Sequence, residues 1–182
     1  DACFWAVNGT SQAIHAMLMT ALKPGEKVLL PRNAHRSVAG GLILGGIEAT
    51  FMQPDYCEAF GINFQVQPQA VEAALDKDAS IKAVLLTSPN YYGVAADVEA
   101  IAKICHDRNV VLLVDEAHGP HLGFSDLLPK SALQCGADAC AQSTHKIVGA
   151  MTQCSMLHIQ GQRLDVTRAA DVMSVLTTTS PN

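Results

Sequence analysis

The sequence predicts a three-layer α/β/α domain with a mostly parallel central sheet, and three observations predict it. Apolar runs of strand length alternate with helix-periodic segments almost from end to end, the pattern of a parallel sheet covered by helices on both faces. The run Val110-Val111-Leu112-Leu113-Val114 is apolar at every position, as a strand buried on both sides should be. Polar clusters directly follow the strands, and in such sheets ligands bind beyond the carboxyl ends of the strands. No internal repeat, low-complexity tract or domain boundary interrupts the pattern, so residues 1–182 read as one domain.

In chain order, Cys3–Val7 is a short apolar strand followed at once by Asn8-Gly9-Thr10-Ser11. Ala13, Ile14, Met17, Leu18 and Leu22 then recur at helical spacing, which puts Thr10 or Ser11 at a helix N-terminus. A turn at Lys23–Glu26 leads into the strand Lys27–Pro31. The polar loop Arg32-Asn33-Ala34-His35-Arg36-Ser37 opens a helix through Leu44, which Gly45-Gly46 ends. Glu48–Met52 is a third strand, and Gln53–Val66 reads as irregular. A helix near Pro68–Leu75 and a strand Lys82–Thr87 follow, closed by Ser88-Pro89-Asn90-Tyr91-Tyr92-Gly93. Asp97 caps a helix to about Arg108. After the buried strand come Asp115-Glu116-Ala117-His118-Gly119, a helical turn near Ser131–Gln134 and the strand Ala137–Ala141. Ser155–Ile159 is the last strand and Arg163–Leu176 the last helix.

At 182 residues, 49% hydrophobic and 16% charged, the chain has the mass and composition to bury a sizeable core. A net charge of −5 without any Lys/Arg run argues against nucleic acid or an anionic membrane as a partner. No apolar run approaches the roughly 20 residues that span a bilayer. The six cysteines are scattered without a Cys-x-x-Cys pair, which points to a reducing, cytoplasmic setting rather than a disulfide framework. A secretory signal is not expected, since Asp1-Ala2-Cys3 lacks a basic start and the apolar run there is too short. The chain starts on Asp1 almost directly in a strand and stops on Thr-Ser-Pro-Asn, and so reads as an internal piece of a longer protein.

Gly9-Thr10-Ser11 at a helix start offers backbone N–H groups, two hydroxyls and a positive dipole end to an anion, or else a plain N-cap. It is not a Walker loop, and Gly-x-Gly-x-x-Gly is absent. Asp115 ends five consecutive apolar residues, where a carboxylate is expensive unless a cation or strong donor meets it. That partner is either a structural salt bridge or a protonated heterocycle nitrogen. Lys146 follows Gln142-Ser143-Thr144-His145; the nearest lysine before it is Lys130 and none follows. His118-x-x-His121 lacks a further metal ligand at a usual spacing, and Gly-x-Ser-x-Gly is missing, so neither zinc nor a serine hydrolase is expected. One small molecule would use an anion cradle, a lysine for its aldehyde and a carboxylate for its ring nitrogen: pyridoxal 5'-phosphate.

With these motifs the chain resembles the major, cofactor-binding domain of the Orn/Lys/Arg decarboxylases, fold-type-I pyridoxal-phosphate enzymes. The resemblance runs from Asn8 to about Asn182, on the Asn8–Ser11, Arg32–Ser37, Thr87–Gly93, Val114–Gly119 and Gln142–Lys146 segments. It implies that Lys146 forms the internal aldimine, Asp115 pairs with the pyridine nitrogen and His35 stacks on the ring. It gives the phosphate to Thr10, Ser11, Ser143 and His145, the other ring face to Ala117 and the reaction side to His118. The implied activity is decarboxylation of arginine, lysine or ornithine to the amine and CO2. The implied assembly is a homodimer or larger homo-oligomer, whose site is completed across subunits, with an N-terminal segment and a small C-terminal domain beyond this chain. An aminotransferase or Cα–Cβ lyase on the same scaffold would share Lys146 and Asp115 and differ in product. A regulatory subunit would keep the fold without the chemistry.

Overall fold

Seven strands form the central sheet of the computed structural model, which describes residues 1–180. Pro181 and Asn182, the end of the expected domain, lie outside the described residues. The strands are β1 (Ala2–Ala6), β2 (Lys27–Pro31), β3 (Glu48–Met52), β6 (Ile81–Thr87), β7 (Val111–Asp115), β8 (Ala139–Gln142) and β9 (Ser155–Ile159). The spatial order is β1-β9-β8-β7-β6-β2-β3. Strands β4 (Tyr56–Cys57) and β5 (Ile62–Asn63) form a separate hairpin inside the stretch expected to be irregular.

From β8 to β3 every pairing is parallel. The exception is β9, which runs antiparallel to both β8 and β1. An apolar alternation cannot reveal strand direction, because the side-chain period is two whichever way the strand runs. The consequence is functional: β1 regains the direction of β8. The carboxyl ends of β1, β2, β6, β7 and β8 and the amino end of β9 therefore share one rim.

Helices α1 (Gly9–Ala21), α2 (Arg36–Gly45) and α6 (Val166–Leu176) cover one face, and α3 (Pro68–Lys77) and α4 (Val98–Asp107) the other. Alternate residues of the buried strands divide accordingly. Val28, Leu30, Leu85 and Leu113 pack under the first group, and Leu29, Val84, Leu112 and Val114 under the second. This is why Val111–Asp115 shows no polar alternation: both faces of β7 are core. Each such leucine, fully buried, contributes about 1.5–3 kcal/mol of transfer free energy.

Local chemistry sets the helix ends. Asp97 accepts from Ala100 N–H (3.1 Å) as the expected N-cap, and Asp165 accepts from Thr167 and Arg168 N–H, starting α6 later than Arg163. Gly46 closes α2 at a left-handed φ of 61°, open to glycine at little cost. Gly40 and Gly41 let α2 approach α1: a Cβ on Gly41 would lie 2.7 Å from Leu18 Cδ1. No helix among the described residues is long and apolar enough to cross a membrane.

Candidate active site

A cavity of about 610 Å³ opens at the shared rim. Its walls include all nine residues singled out from the sequence: Thr10, Ser11, His35, Asp115, Ala117, His118, Ser143, His145 and Lys146. They lie at or follow the ends of four strands, β1, β2, β7 and β8, which share this rim.

The helix start that carries Thr10 and Ser11 is not capped by either hydroxyl. Asn8 is the N-cap residue, and its own N–H is met by Gln12 Oε1 at 3.0 Å. Ser11 faces the cavity and is exposed. Thr10 Oγ1, buried, is in hydrogen-bond contact with Ser143 Oγ at the end of β8 and lies 2.7 Å from Ser155 Oγ at the start of β9. Three hydroxyls thus meet beside the free N–H groups of a helix N-terminus, the arrangement that receives an anion. His145 Nδ1 donates to the Cys154 carbonyl at 2.6 Å, which fixes its tautomer and leaves Nε2 for the cavity.

His35 ends the loop after β2 and caps α2: its Nδ1 accepts from Ser37 N–H at 3.2 Å. That bond orients the imidazole while the rest of the ring stays exposed along the cavity wall. Ala117, buried, stands beyond Asp115 on the same cavity, with no side chain long enough to fill it.

Asp115 is 2% exposed, at the last position of β7. Burial pushes its carboxyl above the ordinary range; the Ala117 N–H, which donates to Oδ1 at 3.1 Å, and the charges of His35 and Lys146 pull it back. No salt bridge among the described residues involves it. The structural ion pair that would explain a buried carboxylate is therefore not made, and the group faces a cavity. Beside it in register, Thr87 Oγ1 is buried without a hydrogen-bond partner and also lines the cavity.

Lys146 sits on the short helix α5 (Thr144–Ile147), exposed, and its Nζ lies 3.3 Å from His118 Nε2. Burial, then the positive charges of Lys146 and His35, hold the His118 imidazole below its ordinary pKa. A neutral His118 can accept from the Lys146 ammonium. Tyr91 stands edge-on to His118, ring centroids 5.8 Å apart.

Some site-building residues escaped the sequence reading. The β4–β5 hairpin puts Gly61, Ile62 and Asn63 on the cavity wall, held there by Asn90 Nδ2 donating to the Asn63 carbonyl at 3.1 Å. Glu116, 1% exposed, ties the arm after β7 to β8: Oε1 accepts from Ala132 N–H (2.6 Å) and Oε2 from Gln142 Nε2 (2.7 Å). Burial raises its pKa, and these two donors counter it. The same arm is tight, since a Cβ on Gly119 would lie 2.6 Å from Glu116 Cγ. Glu116→Ala should strand two inward donors and lower stability by about 2–4 kcal/mol. A denaturant midpoint unchanged from wild type would show that the tie is not made.

The profile of the Orn/Lys/Arg decarboxylase major domain matches residues 1–182. The chain is 42% identical over 180 residues to an arginine decarboxylase of Halalkalibacterium halodurans, covering 99% of this chain and 37% of that protein. Lysine decarboxylase A from Pseudomonas aeruginosa superposes with a TM-score of 0.87 at 25% identity, over 100% of this chain and 27% of that one. N-Succinyldiaminopimelate aminotransferase from Mycobacterium tuberculosis shares the fold, with a TM-score of 0.75 at 19% identity over 96% of this chain and 46% of its own. The chain thus spans about a third of the length of the curated arginine decarboxylases it matches.

Proposed function

The chain belongs to the Orn/Lys/Arg decarboxylase family, and we propose that it is the cofactor-binding major domain of a pyridoxal-phosphate enzyme that converts a basic amino acid to its amine and CO2. The observation that carries this reading is one cavity that joins a buried, unpaired carboxyl, a lysine and a hydroxyl cluster at a helix N-terminus. The residues fit the cofactor. Asp115 feels the charges of His35 and Lys146 only at a distance and makes no salt bridge among the described residues, and the orphaned Thr87 hydroxyl beside it needs a partner in the same space.

In this reading Thr10, Ser11, Ser143 and His145 hold the phosphate by N–H and O–H donation. His35 and Ala117 bracket the ring, which the cap bond to Ser37 and the absence of a bulky side chain make possible. Lys146 supplies the amine for the aldehyde. Pyridoxal phosphate, when bound, supplies a protonated ring able to take up the electron pair left by a departing carboxylate. Asp115 keeps the ring nitrogen protonated, because a carboxylate in a dry site strongly favours a facing N–H⁺. His118, neutral and 3.3 Å from Nζ, accepts a hydrogen bond from Lys146 and holds its amine on the reaction side.

Asp115 is the only carboxylate lining the cavity among the described residues. The distal amino or guanidino group of the substrate therefore meets its acceptor on a partner subunit or on polypeptide beyond residues 1–182, which agrees with a homodimeric assembly. The test is product analysis of the full-length protein with arginine, lysine and ornithine in turn. Equal amounts of amine and CO2 from one of the three are expected. Amino transfer to an oxo acid without CO2 would overturn the reading in favour of an aminotransferase.

A further inference from the structure

We infer that Ser155 is a positioning residue for the phosphate site, acting through the proton of Thr10; the inference rests on the cofactor reading above. Ser155 Oγ is buried (1% exposed), stands outside the cavity wall and has Thr10 Oγ1, at 2.7 Å, as its hydrogen-bond partner. Thr10 Oγ1 also meets Ser143 Oγ, and both of these hydroxyls line the cavity.

Proton counting gives Ser155 its role. Each hydroxyl has one proton to donate and two lone pairs to accept with. If Ser155 donates to Thr10, the Thr10–Ser143 pair keeps one proton for the hydrogen bond between them and frees the other for an anion in the cavity. If Thr10 instead donates to Ser155, the anion loses a donor. An anion selects the first arrangement and strengthens it, because a donor that is itself accepting a hydrogen bond is more polarised.

The backbone holds Ser155 where this works. It pairs with Ala6 across β1 and β9, just before β1 runs into the helix start that carries Thr10. Gly9 N–H donates to the Gln153 carbonyl at 2.9 Å, and Cys154 O receives His145 N–H (3.1 Å) and Thr144 Oγ1 (2.9 Å). The antiparallel entry of β9 thereby joins α1 and α5 at the anion site. A parallel β9 would put Ser155 at the opposite rim.

Ser155→Ala in the full-length protein is expected to weaken pyridoxal phosphate binding about three- to fivefold, because Thr10 and Ser143 keep their protons but lose the polarisation that the donated hydrogen bond supplies. Binding of pyridoxal, which lacks the phosphate, should stay within about twofold, a split that general damage to the site would not give. In a Thr10→Val background, Ser155→Ala should cost nothing further, since the proton it directs is gone. Equal loss for both ligands, no loss for either, or a full additional loss in the Thr10→Val background would overturn the inference. A wild-type protein that binds both ligands alike would remove the cofactor reading itself. A wild-type preference for the phosphate that survives Ser155→Ala removes only the role of Ser155.

Discussion

Lys146→Ala is expected to abolish the borohydride-reducible visible absorbance that the full-length protein acquires with pyridoxal phosphate, and to lower turnover by about 10³-fold or more. The size of the effect follows from the cavity: Lys146 is the only lysine on its wall among the described residues, so no neighbouring amine can substitute. Lys146→Arg keeps the positive charge but not a nucleophilic amine, and should lose the absorbance as completely. A second readout needs no cofactor. The Lys146 charge stands second to burial among the causes that hold His118 below its ordinary pKa. Removing that charge should move the His118 titration upward, as followed by NMR of the imidazole. Full retention of the reducible absorbance would remove Lys146 from its role; an unmoved His118 would show that the 3.3 Å approach of the two groups is not made.

How much of this was legible in the sequence depends on how far apart the signals lie. Val111–Asp115 could be read because burial on both faces leaves a local mark, an apolar run that ends in one carboxylate. The rim could be read because a parallel sheet sends every strand–helix turn to the same side. The direction of β9 could not, since side-chain alternation carries no polarity, and the rank of Ser155 went unseen with it. The β4–β5 hairpin, two residues to a strand, is too short for any periodicity to show. Thr10 invited the reading of a helix cap because Thr at a helix start usually is one. Its real partners, Ser143 and Ser155, come from far along the chain, and only the folded sheet brings them near. Glu116 looked like part of the Asp115 motif; its bonds to Ala132 and Gln142 make it a brace outside the cavity wall.

Asp115→Asn should separate function from stability, moving the two in opposite directions. The amide keeps the size of the carboxylate and can still accept from Ala117 N–H, so the architecture of the cavity is retained. In the full-length protein, turnover should fall about 10²–10³-fold while cofactor remains bound, because a neutral amide no longer holds a ring nitrogen protonated. Without cofactor, the same substitution should stabilise the protein by about 1–2 kcal/mol near neutral pH, by removing a charge that is buried without a cation. The sign is fixed by linkage. Burial raises the folded-state pKa of Asp115 above its ordinary 3.8. The penalty is absent in acid, where both states are protonated, and grows as pH rises from that ordinary value through the folded one. Melting temperatures of the two cofactor-free proteins should therefore converge near pH 4 and diverge toward pH 7, with the Asn variant higher. Saturating pyridoxal phosphate should reverse the order, since the wild-type carboxylate then has the cation it faces. A variant that melts below wild type at neutral pH without cofactor would mean that Asp115 is braced by the protein alone, and its case as the partner of a ring nitrogen would fail.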